Sequence, residues 1–270
     1  MINEISGIVK EVGNLLLKWR NNGIIEGQWD GSQFKAKVDQ MAHFALTERL
    51  KKIYPDIPII SEEDISSHYK IRPEIYWIID PIDGTSSFVE GYEGFVTQIS
   101  LIVKNLPVLA AIYAPLLELL YTAKRGHGAF LNNERLATLK NKEPKILIDN
   151  YPEPRGIARE LYNDLCFARY IECGSISLKI CKVADGTADV FFKNVTVKDW
   201  DIAAPHLILE EAGGVLKDNK GEEIRYTGDF THKGIVAASS DKTILHIVLC
   251  YNNLKRKECH SENTYSCCSS

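Results

Sequence analysis

The stretch YWIIDPIDGTSSF, residues 76–88, decides the reading of the whole chain. Its first half is an apolar run of strand length. Pro81 ends that strand, because proline has no N–H for a ladder and holds the residue before it extended. Asp80 and Asp83 lie three residues apart, so one turn brings both carboxylates to one side. Gly84 lets backbone approach a ligand closely, and Thr85, Ser86 and Ser87 suit a helix start whose N–H groups face an anion. One segment therefore offers hard oxygen ligands and a phosphate cradle together. With no His or Cys near it in sequence, this donor set selects Mg2+ or Mn2+ over zinc.

Two further acidic clusters share that setting. Glu62-Glu63-Asp64 follows the apolar run IPII (57–60), and Trp200-Asp201 opens a helix. Acids at the ends of apolar strands sit at loop edges, where α/β sheets place their ligands. If Glu62, Asp80, Asp83 and Asp201 converge, four like charges raise one another's pKa. Two divalent cations neutralise the set. Such a pair, about 3.5–4 Å apart, can hold both the attacking water and the leaving oxygen of a phosphate ester.

The rest of the chain supplies a soluble α/β frame. Its 270 residues allow about two domains at roughly 150 each, or one large unit. Hydrophobic residues are 45% and charged residues 25%, so widespread disorder is excluded. The net charge of −4 gives no basic excess to hold a nucleic acid polymer by its phosphates. No run is long and apolar enough for a membrane span, and the N-terminus lacks a secretory pattern, so a cytoplasmic protein is expected. Seven irregularly spaced cysteines fit reduced thiols better than a disulfide framework.

Periodicity predicts helices over 2–20 and 37–53, with a loop over 22–36 between them. Strands are expected over 57–60, 76–80, 94–104 and 107–114, with a hairpin over 119–131. After a composition shift at 139–145, strands near 146–149, 169–172, 188–192 and 234–238 alternate with helices near 155–163, 175–184, 202–212 and 241–252. The expected organisation is an N-terminal α+β subdomain (1–142) carrying most metal ligands. A C-terminal α/β subdomain (143–252) completes the site, and a disordered polar tail (253–270) follows.

Three motifs together, ISEED (60–64), DPIDGTSSF (80–88) and WDIAAPHLILEEAGG (200–214), resemble the inositol monophosphatase superfamily of metal-dependent, lithium-sensitive phosphatases. KVDQMAH (37–43), GHGAFLNNERL (126–136) and GSISLKICKVADGTADVF (174–191) match more weakly, and the resemblance covers about residues 1–250. It implies a layered αβαβα sandwich, usually a homodimer, using two or three Mg2+ ions with Mn2+ as a substitute. It implies that Glu62, Asp80 and the Ile82 carbonyl bind one metal, and Asp80, Asp83 and Asp201 a second. Thr85 and Glu62 would activate the attacking water, with Asp39 supporting the threonine. The N–H groups of Gly84 and Thr85 would hold the phosphate, and Ser175 would join the substrate contacts.

Within the superfamily, SLKIC (177–181) is similar to SLKFC of bacterial 3'(2'),5'-bisphosphate nucleotidases. Lys193 stands where inositol phosphatases usually carry a glutamate for sugar hydroxyls. Lys179 and Lys193 are therefore expected to meet a second anion, and the leading expectation is hydrolysis of adenosine 3',5'-bisphosphate to AMP and phosphate. The alternatives are an inositol or sugar-phosphate phosphatase, and a non-catalytic protein that binds a phosphorylated ligand. Two departures from the family pattern stand out: Ala36 replaces a usual Thr, and Pro205 replaces a usual Gly. A proline is tolerated in a first helical turn, which predicts that the helix carrying it starts near 202.

Overall fold

The computed structural model describes residues 1–30, 33–68, 71–140 and 143–266, with side chains described except at 28–30, 33–36 and 257–266. Helix α1 (Ile2–Asn21), the paired strands β1 (Gly27–Asp30) and β2 (Gln33–Ala36), and helix α2 (Lys37–Ile53) come first. A seven-stranded sheet follows in sequential order: β3 (Ile59–Ser61), β4 (Ile75–Asp83), β5 (Val96–Val103), β6 (Leu106–Ala114), β7 (Leu119–Lys124), β8 (Ala129–Leu131) and β9 (Glu134–Arg135). A short helix, α3 (Thr85–Glu90), joins β4 to β5. The second half runs β10 (Ile146–Asp149), α4 (Gly156–Asp164), β11 (Arg169–Glu172), α5 (Ile176–Ala184), β12 (Val190–Lys193), β13 (Val197–Lys198), α6 (Asp199–Glu211), β14 (Val215–Asp218), β15 (Thr231–His232), β16 (Ile235–Ala238) and α7 (Asp241–Ser266). Its five-stranded sheet has the order β11-β10-β12-β16-β14.

Strand alternation sorts these elements into five layers. Trp77, Ile79, Ile99 and Ala111 point from the first sheet onto α1 and α2, meeting Ile5, Val9, Val12, Leu46 and Leu50. Their neighbours Tyr76, Ile78 and Ile112 point the other way, onto α5 and α6, where Ile180, Leu207 and Ile208 pack. The same central cluster takes Ile148, Phe191 and Ala237 from the second sheet. The outer face of that sheet, with Val190, Phe192 and Val236, packs on Leu161 of α4 and Ile247 of α7. This is the expected αβαβα sandwich. Because α5 and α6 form its middle layer, their residues are buried on both sides.

Several elements depart from the sequence reading. The expected loop over 22–36 holds the antiparallel pair β1–β2. The dipeptide Gly31-Ser32 between them in sequence, a two-residue hairpin signal, is the available clue. Strand β4 does not stop at Pro81 but runs to Asp83. Asp80 pairs with Gln98 and Asp83 with Val96, so β4 carries one extra residue, and Pro81 sits at that bulge. Helix α6 starts at Asp199 rather than 202, which puts Pro205 inside it. Strand β14 was not anticipated. Helix α7 continues past 252 to Ser266, through most of the expected tail, in a segment with no Gly or Pro to break it. Residues 267–270 lie outside the described residues.

Phe191 has no exposed surface and belongs to the central cluster that joins both sheets. Phe191→Ala should lower the unfolding free energy by about 3–5 kcal/mol, measured by denaturant titration.

Candidate active site

Three elements bring the four predicted acids to one place. Glu62 follows β3, Asp80 and Asp83 close β4, and Asp201 sits in the first turn of α6. Carboxylate oxygens of Glu62, Asp80 and Asp201 all lie within 4.8 Å of one another. Each aspartate is aimed by backbone donors. Asp80 Oδ1 accepts from the Ile82 N–H at 3.0 Å, and Asp201 Oδ2 from the Lys198 N–H at 2.7 Å. Asp83 stands apart from the tight trio and caps α5: its Oδ2 accepts from Ser175 Oγ and the Ser177 N–H, both at 2.6 Å, and its Oδ1 from the Ile176 N–H at 3.3 Å. A carboxylate at a helix N-terminus is favoured by the local dipole.

These carboxylates are costly as anions. Burial, then the charges of Asp201 and Glu63, raise Glu62 well above the ordinary carboxylate range. Burial, then Glu62 and Asp83, do the same to Asp80. Burial and the neighbouring Asp83 push Asp201 up to about 8, against the opposing N–H of Lys198. No lysine or arginine ion pair with these four groups occurs among the described residues. An all-oxygen set with this shortage of positive charge fits hard divalent cations.

Thr85 and Asp39, the threonine and the acid expected to support it, are hydrogen-bonded to each other. Thr85 Oγ1 lies 3.1 Å from Asp39 Oδ1 and 3.1 Å from the Ile82 carbonyl, so its one proton has two acceptors. Asp39 reaches it from the first turn of α2. Gly84 precedes α3 with φ +93°, and the N–H groups that follow lack intrahelical partners. Close backbone contact fixes this floor. A Cβ on Gly174 would lie 2.8 Å from the Gly94 carbonyl, and one on Gly84 would lie 2.7 Å from the same oxygen.

A cavity of about 1080 Å3 opens over these groups. Beyond the four acids, its wall includes Glu90, Glu93, Glu172, Asn150, Tyr92 and Tyr151, and its one lysine among the described residues is Lys182. The expected second-anion lysines are elsewhere. Lys179 has no exposed surface, and its ammonium donates to Asn150 Oδ1 and to the carbonyls of Cys173 and Gly174, at 3.1 and 3.2 Å for the carbonyls. Those three bonds use all its protons. The cause is its place on α5, in the middle layer. Lys193 ends β12 beside the parallel strand β10, and its ammonium is 3.5 Å from Asp149 Oδ1 rather than in the cavity wall. Ser175 caps α5 and bonds Asp83. His206 is buried against the Tyr226 hydroxyl at 2.9 Å, as a packing residue.

A second charged cluster braces α6 from behind. Arg72 donates to Asp199 and Tyr76, and its guanidinium lies 3.9 Å from the Phe230 ring centroid. His232 Nε2 is 2.6 Å from the other Asp199 oxygen. His68 stacks on Trp200 at 4.8 Å. The segment around Arg72 is thereby fastened to the helix that presents Asp201. Sequence reasoning missed this cluster, because no local spacing relates Arg72 to Asp199.

Comparison with known proteins gives a consistent family. The family model for the inositol monophosphatase family matches residues 2–252. A Vibrio cholerae protein named Nus factor SuhB is 31% identical over 258 residues, covering 92% of this chain and 94% of its own. A Pasteurella multocida protein of the same name is 33% identical over 234 residues, covering 82% and 86%. Among solved structures, a Thermotoga maritima IMPase is similar with a TM-score of 0.77 at 25% identity, covering 93% of this chain and 96% of its own. Inositol monophosphatase-II from Staphylococcus aureus shares the fold with a TM-score of 0.76 at 22% identity, covering 91% and 93%.

Arg72→Met keeps much of the stem and removes the charge, leaving buried Asp199 with His232 alone. Unfolding free energy should fall by about 3–5 kcal/mol, read from denaturant titration at neutral pH.

Proposed function

The chain belongs to the inositol monophosphatase family, and from that premise we propose that it is a divalent-cation-dependent phosphomonoesterase acting on a small phosphate ester. One observation carries this reading: the Glu62, Asp80 and Asp201 oxygens cluster within 4.8 Å. The Thr85–Asp39 hydrogen bond lies in the same site. Glu62, Asp80, Asp83, Asp201 and the Ile82 carbonyl would hold Mg2+, with Mn2+ as a substitute. Bound there, the ions would offset the carboxylate charge, acidify water and stabilise charge on the leaving oxygen.

The chain's own residues have distinct tasks in this reading. Asp39 and the Ile82 carbonyl fix the Thr85 hydroxyl, whose lone pair orients the attacking water. Glu62 takes the proton from that water. The N–H groups of Gly84 and Thr85 bind the transferred phosphate. Asp83, tied to α5, keeps the far side of the site in register.

For the alcohol half of the substrate, we favour a polyol or sugar over a nucleotide bisphosphate. The bisphosphate expectation rested on Lys179 and Lys193, and both ammonium groups are engaged within the chain. The wall instead offers Glu90, Glu93, Glu172 and Asn150, which accept hydrogen bonds from hydroxyls. A binding protein without turnover is the rival. Retention of Glu62, Thr85 and Asp39 in one site supports catalysis.

Phosphate release with Mg2+ tests these readings, comparing inositol 1-phosphate with adenosine 3',5'-bisphosphate, with and without lithium. We expect lithium-sensitive release that is faster from inositol 1-phosphate. Asp80→Asn and Thr85→Ala should each lower kcat by about 10²–10⁴-fold. A tenfold preference for the bisphosphate would restore the nucleotide reading. Mg2+ binding with no release from a panel of phosphate esters would support the binding protein.

A further inference from the structure

Pro205 and Gln98 are both out of place by ordinary rules. A proline inside a helix removes the N–H that would bond the carbonyl four residues back, here that of Asp201. A glutamine in the apolar strand β5 is buried to 1% exposure, and its Oε1 has no hydrogen-bond partner among the described residues. A buried unsatisfied acceptor lowers stability, so such a residue needs another explanation.

The two irregularities meet. The Asp201 carbonyl accepts from Ser177 Oγ at 2.7 Å. Ser177 Oγ in turn accepts from Gln98 Nε2 at 2.6 Å. The same nitrogen lies 2.8 Å from the Trp200 carbonyl and 3.4 Å from Asp80 Oδ2, across the strand pair that sets Gln98 opposite Asp80. The Ser177 N–H holds Asp83 Oδ2 at 2.6 Å. One amide and one hydroxyl therefore connect β4, α5 and α6, the three elements that present or cap the aspartates.

We propose that Gln98, acting through Ser177, is a positioning residue that sets the spacing of Asp80, Asp83 and Asp201 for cation binding. This rests on the metal-site reading above. Neutral donors suit the task, because they tie the aspartate-bearing elements together without cancelling the charge a cation needs. Pro205 leaves the Asp201 carbonyl open to Ser177, which converts a helix defect into the cross-layer link.

The test is Mg2+ binding by calorimetry on the full-length protein, beside the unfolding midpoint without Mg2+ and the kcat and KM for the substrate found above. Gln98→Met keeps the length and removes the donors, and Ser177→Ala removes only a hydroxyl. Each should weaken Mg2+ binding by about 10–100-fold. Both should lower kcat more than they raise KM. The double variant should be little weaker than the worse single one, because both act on one chain of bonds. A merely structural role would lower the unfolding midpoint and leave Mg2+ affinity within twofold, which would overturn the proposal. If Gln98→Met does not fold, Ser177→Ala decides alone. A wild-type protein that binds no Mg2+ would overturn the metal-site reading first. Wild-type binding with unchanged variants would overturn only the role of Gln98.

Discussion

Mutual repulsion among closely set carboxylates, buried at Asp80 and half-buried at Glu62 and Asp201, is the constraint around which the rest of the structure is arranged. Glu62, Asp80 and Asp201 are brought within a few ångströms, where Asp201 raises the proton affinity of Glu62, and Glu62 and Asp201 raise that of Asp80. The simplest relief would be a lysine or arginine, but that would occupy the place of a cation. The fold instead directs its nearby positive groups elsewhere. Lys179 is spent on Asn150 and two carbonyls, Lys193 on Asp149, and Arg72 on Asp199. The aspartates are aimed by uncharged N–H donors, from Ile82, Ser177 and Lys198. Such donors orient a carboxylate while leaving its charge for an ion.

That constraint also accounts for where the backbone is irregular. Pro81 sits at the one-residue bulge of β4, directly after Asp80. Pro205 lies four residues after Asp201. In each case a proline interrupts a regular hydrogen-bond pattern beside an aspartate of the site. Regular strands and helices fix side-chain directions at periods of 2 and 3.6, and neither period alone converges carboxylates from separate layers. Local irregularity supplies the remaining adjustment, and side chains such as Ser177 take up the carbonyls it leaves.

What was legible in the sequence follows the same physics. Carboxylates directly after apolar strands are chemically conspicuous, so Glu62, Asp80, Asp83 and Asp201 could be grouped from spacing and context alone. The helix periodicities of 2–20 and 37–53 emerge at nearly the same bounds in α1 and α2. The lysines failed for a geometric reason. A lysine in a charged surface helix points to water, but α5 lies between two sheets, and only the layer order reveals that. Lys193 could not be matched to Asp149 without knowing that β10 and β12 are neighbours. Gln98 left a weaker trace, one amide in the apolar run VTQISLIV, which marks a buried polar group but not its partners.

The cavity extends the charge logic to the substrate. Divalent ions can offset the carboxylates at the floor, but they do so locally, and screening in water confines their field to about 8–10 Å. The cavity lining also carries Glu90, Glu93 and Glu172 against Lys182. A second phosphate placed there would meet more negative than positive charge, since Lys182 is the one cationic side chain of the wall among the described residues. Hydroxyl groups meet the same carboxylates as hydrogen-bond acceptors, and donation to an ionised acceptor is the stronger kind of hydrogen bond. In the proposed reading this one surface would discriminate by sign: ions held at the floor would attract the phosphate, and the wall would favour an alcohol that brings donors over a further anion.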